Sequence, residues 1–333
     1  MRRDPLPVTV EGSAAEVPHD RAEIVALHLP EAAEAPPPTV RRRRAPLLAF
    51  LVMMRPHQWL KNGLVVAAAG AAGALGHDDV PVRVGLAFVA FCMLASGLYA
   101  INDVHDAAED RLHARKRYRP VAAGEVSAPA AVAFGTALVI AGLVLCVFVR
   151  PLLGVVGAGY VALTLSYTLV WRHILLLDLI AIGGGFVLRA VAGGVAPPVA
   201  LSRWFLLVIS AAAVCVAAGK RYAELRRAQI DNSAHRRVLH SYSLPLLIRV
   251  LLASGAVALF AYSMWAFQLP VVAGVPWRPL TILPFAVCLL RYGALVRAGA
   301  GEAPDELILK DRLLQVSALA WLVLFALGVH AAG

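Results

Sequence analysis

Asn102, Asp103, Asp106 and Asp110 follow directly on a long apolar run and carry the densest chemistry in this 333-residue chain. The three aspartates stand at i, i+3 and i+7, so a continuous helix would set them along one stripe. Carboxylates about 5 Å apart at an effective dielectric near 20 repel by roughly 3 kcal/mol per pair. A divalent cation between them removes that cost. Hard oxygen ligands at the mouth of a membrane helix point to Mg2+ carrying a diphosphate, with Asn102, Asp103, Asp106 and Asp110 as the ligand set. A little further on, Lys116, Arg117 and Arg119 form a basic cluster suited to phosphate oxygens. His113 and Arg117 continue the same stripe, His113 as a hydrogen-bonding helix residue rather than a ligand.

A second polar stripe, Arg55, Gln58, Lys61 and Asn62, interrupts the first apolar segment at spacings of three and four. A cation inside a span costs about 2.5–3.5 kcal/mol on insertion scales, so it usually faces a polar cavity. Lys61 is therefore expected on a diphosphate oxygen, with Gln58 and Asn62 orienting phosphate or ribose; snorkelling of Lys61 to the interface is the bland reading. Asp178 and Arg189 share a later span, three helical turns apart, and fit either structural pairing or substrate contact. Arg172 fits a topology determinant or a phosphate ligand. Lys220 and Glu224 have the spacing of an ordinary i, i+4 pair, while Lys220 near the aspartates would add a fixed positive charge. The acidic residues between Gly301 and Arg312 are expected to cap the last helix rather than to bind metal.

The elements that must position these groups are membrane helices. The chain is 60% hydrophobic and only 16% charged, with mean hydropathy +0.72, and the apolar residues come in long blocks. That composition excludes a soluble domain and predicts an all-α polytopic membrane protein. Nine spans are expected, at about 46–76, 82–101, 129–149, 152–171, 174–195, 203–220, 245–268, 277–297 and 312–331. The net charge of +10 does not signal nucleic-acid binding, because the basic residues cluster at span ends. Cys92, Cys146, Cys215 and Cys288 lie inside spans without metal-ligand spacing and read as small core hydrophobes. Residues 1–45, rich in Pro, Ala and Glu and ending in Arg41–Arg44, read as a disordered, basic-ended cytosolic tail without a signal peptide's apolar core. Residues 46–333 form the membrane domain.

Charge sets the expected orientation. With the amino terminus inside, the inner loops hold Arg111, Arg115, Lys116, Arg117 and Arg119, then Arg172, Lys220 to Arg249, and Arg291 to Arg312. The outer loops hold one arginine each, Arg83, Arg150, Arg203 and Arg278. This positive-inside bias places the aspartates on the cytosolic side of the plasma membrane.

The Asn-Asp-x-x-Asp-x-x-x-Asp motif at 102–110, followed by Lys-x-x-Arg-Pro at 116–120, resembles the UbiA superfamily of intramembrane prenyltransferases. The resemblance implies a nine-helix bundle with a lateral opening for lipid and an active-site cavity facing the cytosol. Most members carry a second aspartate-rich motif after the sixth span; this chain has Gly219-Lys220-Arg221-Tyr222-Ala223-Glu224-Leu225 there instead. That departure, with Arg55 to Asn62, Leu188 to Gly194, Ser202 to Phe205 and Gly301 to Arg312, resembles a phosphoribosyl-transferring branch. The resemblance covers about residues 46–333. It implies transfer of 5-phosphoribosyl from 5-phosphoribosyl 1-diphosphate to a polyprenyl (decaprenyl) phosphate, releasing diphosphate, in the supply of cell-wall arabinan precursors. On that reading Asp103, Asp106 and Lys61 are catalytic. Gln58, Lys61, Asn62, Tyr99, Asn102, Lys116, Arg117 and Arg119 bind the donor. Arg55, Arg172, Arg189, Lys220, Tyr222 and Glu224 meet the acceptor phosphate. Two other readings stand beside it: a prenyltransferase moving a polyprenyl group from its diphosphate to a small acceptor, and a secondary transporter, whose site would sit nearer the midplane between repeats. A homo-oligomer is compatible with all three.

Overall fold

The computed structural model describes residues 44–77, 79–113, 115–170, 175–230, 243–268, 275–301 and 304–330. The tail expected at 1–45 lies outside them except for its last two residues. Thirteen helices follow in chain order: α1 (Pro46–Met54), α2 (Gly63–Ala71), α3 (Val80–His105), α4 (Ala107–Leu112), α5 (Ala128–Val149), α6 (Pro151–Leu169), α7 (Leu175–Val195), α8 (Arg203–Ile230), α9 (Leu244–Phe267), α10 (Trp277–Leu280), α11 (Ile282–Arg297), α12 (Pro304–Lys310) and α13 (Arg312–His330). Among the described residues, seven stretches are long and apolar enough to cross a membrane, and Leu179–Val195 of α7 is a shorter apolar helix. The protein is an all-α, multi-pass membrane protein.

The bundle is drawn together by small residues, because apolar side chains gain little by leaving lipid for one another. A Cβ on Gly97 would lie 2.5 Å from the Gly135 carbonyl oxygen, and one on Gly135 would lie 2.7 Å from that of Gly97. The backbones of α3 and α5 therefore touch. Gly193 does the same for α7 and α2, where a Cβ would come within 2.0 Å of the Val65 carbonyl oxygen. Phe91, Leu94 and Leu98 of α3 pack with Cys146, Leu153 and Tyr160 into one core. A second core joins Phe205, Tyr262 and Trp265, with Trp321 and Phe325 of α13 stacked against it. Cys92, Cys146 and Cys215 are buried and Cys288 half-buried, all with free thiols, as expected of core residues.

Three expectations change. The first expected span, 46–76, is not one continuous helix. Arg55 adopts the left-handed conformation, φ 52°, ending α1 and turning the chain into a 3-10 segment over Pro56–Asn62 before α2 resumes. A non-glycine residue there is strained by about 1–3 kcal/mol and needs other contacts to hold it. Second, the aspartates do not share one continuous helix. Asp106 ends α3 with φ −90° and ψ 0°, α4 closes at Leu112, and His113 is extended. Third, α8 runs on to Ile230, two to three turns past the expected end near residue 220.

Candidate active site

The 3-10 segment descends beside α3, and its contacts fix the depth of each polar group. Arg55 pairs with Asp103 and lies 4.8 Å over the Tyr99 ring. Trp59 Nε1 donates to Ser96 Oγ at 3.0 Å, and that hydroxyl donates to the Met54 carbonyl. Asn62 Nδ2 contacts Cys92 Sγ at 3.2 Å. From Asp103 down to Cys92 is eleven residues of α3, about 16 Å at 1.5 Å per residue. Lys61 therefore leaves the backbone well below the aspartates, and its ammonium donates back to Gln58 Oε1, one turn nearer to them.

At the aspartate end, the carboxylates differ in their surroundings. Asp103 is 1% exposed and Asp110 3%. Arg119 Nη1 bonds Asp110 Oδ2 at 2.6 Å and lies 3.4 Å from Asp103 Oδ1, which also receives Arg55. Asp106 is half-buried and accepts from Asn102 Nδ2 at 2.9 Å. The sequence places these three aspartates on an equal footing. The structure separates two buried anchors for arginines from one more open carboxylate. Among the described residues, no three His, Cys, Asp or Glu side chains are grouped to hold a metal. The acceptors at this end, the Asn102 amide oxygen and the carboxylates of Asp103, Asp106 and Asp110, are all hard oxygens and so fit Mg2+ rather than a softer ion.

The basic residues also divide. Lys116 is half-buried and Arg119 faces the carboxylates, while Arg117 is exposed, with its guanidinium bonded to and stacked on Tyr118. The stripe expected to run through His113 and Arg117 is thus broken. His113 Nδ1 instead receives the backbone N–H groups of Arg115 and Lys116, fixing the loop that presents Lys116 and Arg119. Arg44 Nη1 bonds Glu125 at 2.7 Å and the Tyr118 carbonyl, which ties the start of α1 to the same loop.

A cavity of about 330 Å3 lies between the 3-10 segment, α2, α7 and α8. It is lined by Leu60, Lys61, Gly63, Leu64, Phe186, Ile209, Ala212, Ala213 and Val216. Lys61 is the charged residue of an otherwise apolar wall. Lys220 stands one turn beyond Val216 on the same face of α8. The neighbouring residues of α8 serve its packing. Tyr222 joins Leu179, Ala217, Leu225 and Leu247 in a core cluster. Glu224 pairs with Arg221 at i, i+3. Arg221, 1% exposed, also donates to Tyr167 of α6. Gly219 packs so tightly that a Cβ would lie 2.3 Å from the Tyr292 hydroxyl.

Arg189 is 6% exposed, inside the bundle rather than at its rim, and holds Asn62, Tyr160 and the Gly185 carbonyl. Arg172 and the Asp178 side chain lie outside the described residues. Asp311 behaves as a cap: it accepts from the Leu314 N–H at 3.0 Å and pairs with Arg291 at 2.7 Å. Sequence reasoning passed over Arg221, Tyr160 and Tyr167. A tyrosine in each apolar run near a buried arginine was the available signal, but their pairing depends on helices distant in sequence.

The chain and its fold are similar to known proteins. Proteins named decaprenyl-phosphate phosphoribosyltransferase are similar to this chain. The one from Corynebacterium glutamicum is 40% identical, over 83% of this chain and 85% of its own length. The one from Mycolicibacterium smegmatis is 38% identical, over 89% and 96%. The fold matches a solved UbiA homologue from Archaeoglobus fulgidus, bound to GPP and Mg2+, with a TM-score of 0.65 at 14% identity, covering 85% of this chain and 99% of that one. The sequence profile of the UbiA prenyltransferase family matches residues 63–317, and this chain belongs to that family.

Proposed function

We propose that this protein transfers a 5-phosphoribosyl group from 5-phosphoribosyl 1-diphosphate to a polyprenyl phosphate of the decaprenyl class, releasing diphosphate. The observation that carries the reading is a juxtaposition. Hard-oxygen and guanidinium groups are stacked at one end of α3, above an apolar cavity with an ammonium at its wall, in a chain 38–40% identical to the phosphoribosyltransferases named above. The basic loops around the aspartates support a site on the cytosolic side of the plasma membrane, where a soluble sugar diphosphate is available. The lipid product would serve the synthesis of cell-wall arabinan.

Asn102 and Asp106 would hold Mg2+, with Asp110 completing the oxygen set. When bound, the cation offsets the negative charge that develops on the departing diphosphate. Arg119, Arg55, Lys116 and Lys61 offer fixed positive charge to the same oxygens, and such preorganised charge lowers the barrier without reorganisation. Asp103 fixes Arg55 and Arg119. Tyr99, under Arg55, lines the position of the sugar. The acceptor phosphate is anionic at neutral pH, so its oxygen attacks the anomeric carbon as the diphosphate bond breaks, and no general base is required. Attack in line inverts that carbon. The isoprenoid tail occupies the apolar cavity and leaves its phosphate toward Lys220. Tyr222 and Glu224, engaged in packing and in the Arg221 pair, act on the acceptor only through the shape of α8.

Prenyl transfer to a small acceptor is the second reading, favoured by the family itself. Supplying purified protein and Mg2+ with radiolabelled phosphoribosyl diphosphate in one arm and labelled prenyl diphosphate in the other separates the two. Label entering the lipid phase from the phosphoribosyl donor supports the proposal. Transfer from the prenyl donor alone overturns it.

A further inference from the structure

Arg189 is a guanidinium buried in the middle of α7, and among the described residues no carboxylate lies within ion-pair distance of it. A cation in that position is costly unless its N–H groups are satisfied. Three acceptors satisfy it from three elements. Nε donates to Asn62 Oδ1 at 2.7 Å, Nη2 to the Tyr160 hydroxyl at 2.7 Å, and Nη1 to the Gly185 carbonyl at 2.8 Å. The plane also stacks 4.7 Å over the Tyr160 ring. A planar fork spreads over such a set where an ammonium cannot.

What this arrangement holds is the lower end of the 3-10 segment. Asn62 is fully buried and is the segment's last residue; Lys61, the charged group at the cavity wall, immediately precedes it. Four residues beyond Arg189 on the same face of α7, Gly193 lets the backbone meet Val65 of α2. The helix thus grips both sides of the junction between the 3-10 segment and α2. At its upper end the segment is held by Arg55 on Asp103.

From this we infer that Arg189 is a positioning residue, which sets the depth and rotation of Lys61 by clamping Asn62, and so governs affinity for the donor's diphosphate. It touches no substrate. The inference rests on the proposed reading only in assigning a diphosphate to the donor, a group that phosphoribosyl and prenyl donors share.

A double-mutant cycle tests it, read as binding of inorganic diphosphate with Mg2+ to the purified full chain by calorimetry. Arg189→Gln and Lys61→Ala are each expected to weaken binding about tenfold. The double variant should be no weaker than Lys61→Ala alone, because the clamp acts only through that ammonium. Arg189→Lys, which keeps charge but not the fork, should resemble Arg189→Gln. Losses that multiply in the double variant, or full affinity in Arg189→Gln, overturn the inference. If Arg189→Gln does not fold, Tyr160→Phe, which frees one arm of the fork, takes its place in the same cycle with the same two outcomes. The wild-type donor assay separates the two ideas. Turnover with a prenyl diphosphate alone defeats the phosphoribosyl reading and leaves the cycle interpretable.

Discussion

Replacing Asp103 and Asp106 by asparagine in turn should give two different failures, although both substitutions delete one negative charge from the same motif. Asp103 is 1% exposed and receives Arg55 and, at 3.4 Å, Arg119. Asparagine there removes the anion between two guanidiniums. Breaking a fully buried ion pair costs about 3–5 kcal/mol. Here the arginine side chains are 18% and 24% exposed, and Arg119 keeps Asp110, so the loss falls toward the value of one charge-assisted hydrogen bond, about 2 kcal/mol. Asp106 is more open, and its contact with the Asn102 amide needs only an oxygen acceptor, which asparagine retains. Asp106→Asn should therefore melt closer to the wild type than Asp103→Asn does, while losing Mg2+-dependent turnover. Asp103→Asn should melt clearly lower and, if the full 2 kcal/mol reaches the transition state through the displaced arginines, turn over about thirtyfold more slowly. Thermal unfolding in detergent and initial rates on the same preparations make the comparison. The distinction between anchor and ligand is wrong if Asp103→Asn melts with the wild type, or if Asp106→Asn is the less stable of the two.

Lys61→Ala should raise the Michaelis constant for the donor about tenfold and leave that for the lipid acceptor nearly unchanged; an unaltered donor constant removes Lys61 from that role. Gly193→Ala should cost about 1–3 kcal/mol through overpacking, since a Cβ 2.0 Å from the Val65 oxygen and 2.9 Å from the Ala68 Cβ forces α2 and α7 apart. A wild-type melting curve for that variant contradicts the packing described. The hydrogen bond from Arg291, aided by the Leu314 N–H, holds the Asp311 carboxyl below the usual carboxylate range. Its contribution to stability is complete above the ordinary aspartate value, near 3.9, and disappears as pH falls through the lowered folded-state value. The stability difference between wild type and Asp311→Asn should accordingly be constant at neutral pH and close in acid; a difference independent of pH down to that range rules the pair out.

Composition and apolar blocks were enough to read helices, a membrane and most span boundaries, because the cost of unsatisfied backbone in lipid leaves few other options. The cap at Asp311 was also legible, since its partners are local. The break at Arg55 was not. Its left-handed backbone is held by contacts with Asp103 and Tyr99, 48 and 44 positions away, and spacing alone showed only a polar stripe within one span. Spacing likewise made Asp103, Asp106 and Asp110 equivalent, because helical periodicity contains no knowledge of where α3 ends. Burial then sorted them. For Arg189, sequence offered a charge in an apolar span and two meanings for it. Only the convergence of Asn62 and Tyr160 from other helices supplies the third.

The central claim is a statement about which group crosses to the lipid. Purified protein given Mg2+, 5-phosphoribosyl 1-diphosphate and polyprenyl phosphates of several lengths should yield, by mass spectrometry, lipids heavier by one phosphoribosyl group, with diphosphate released in equal amount. Unchanged lipid masses, together with a prenylated product when prenyl diphosphate and a small acceptor are supplied, would contradict it.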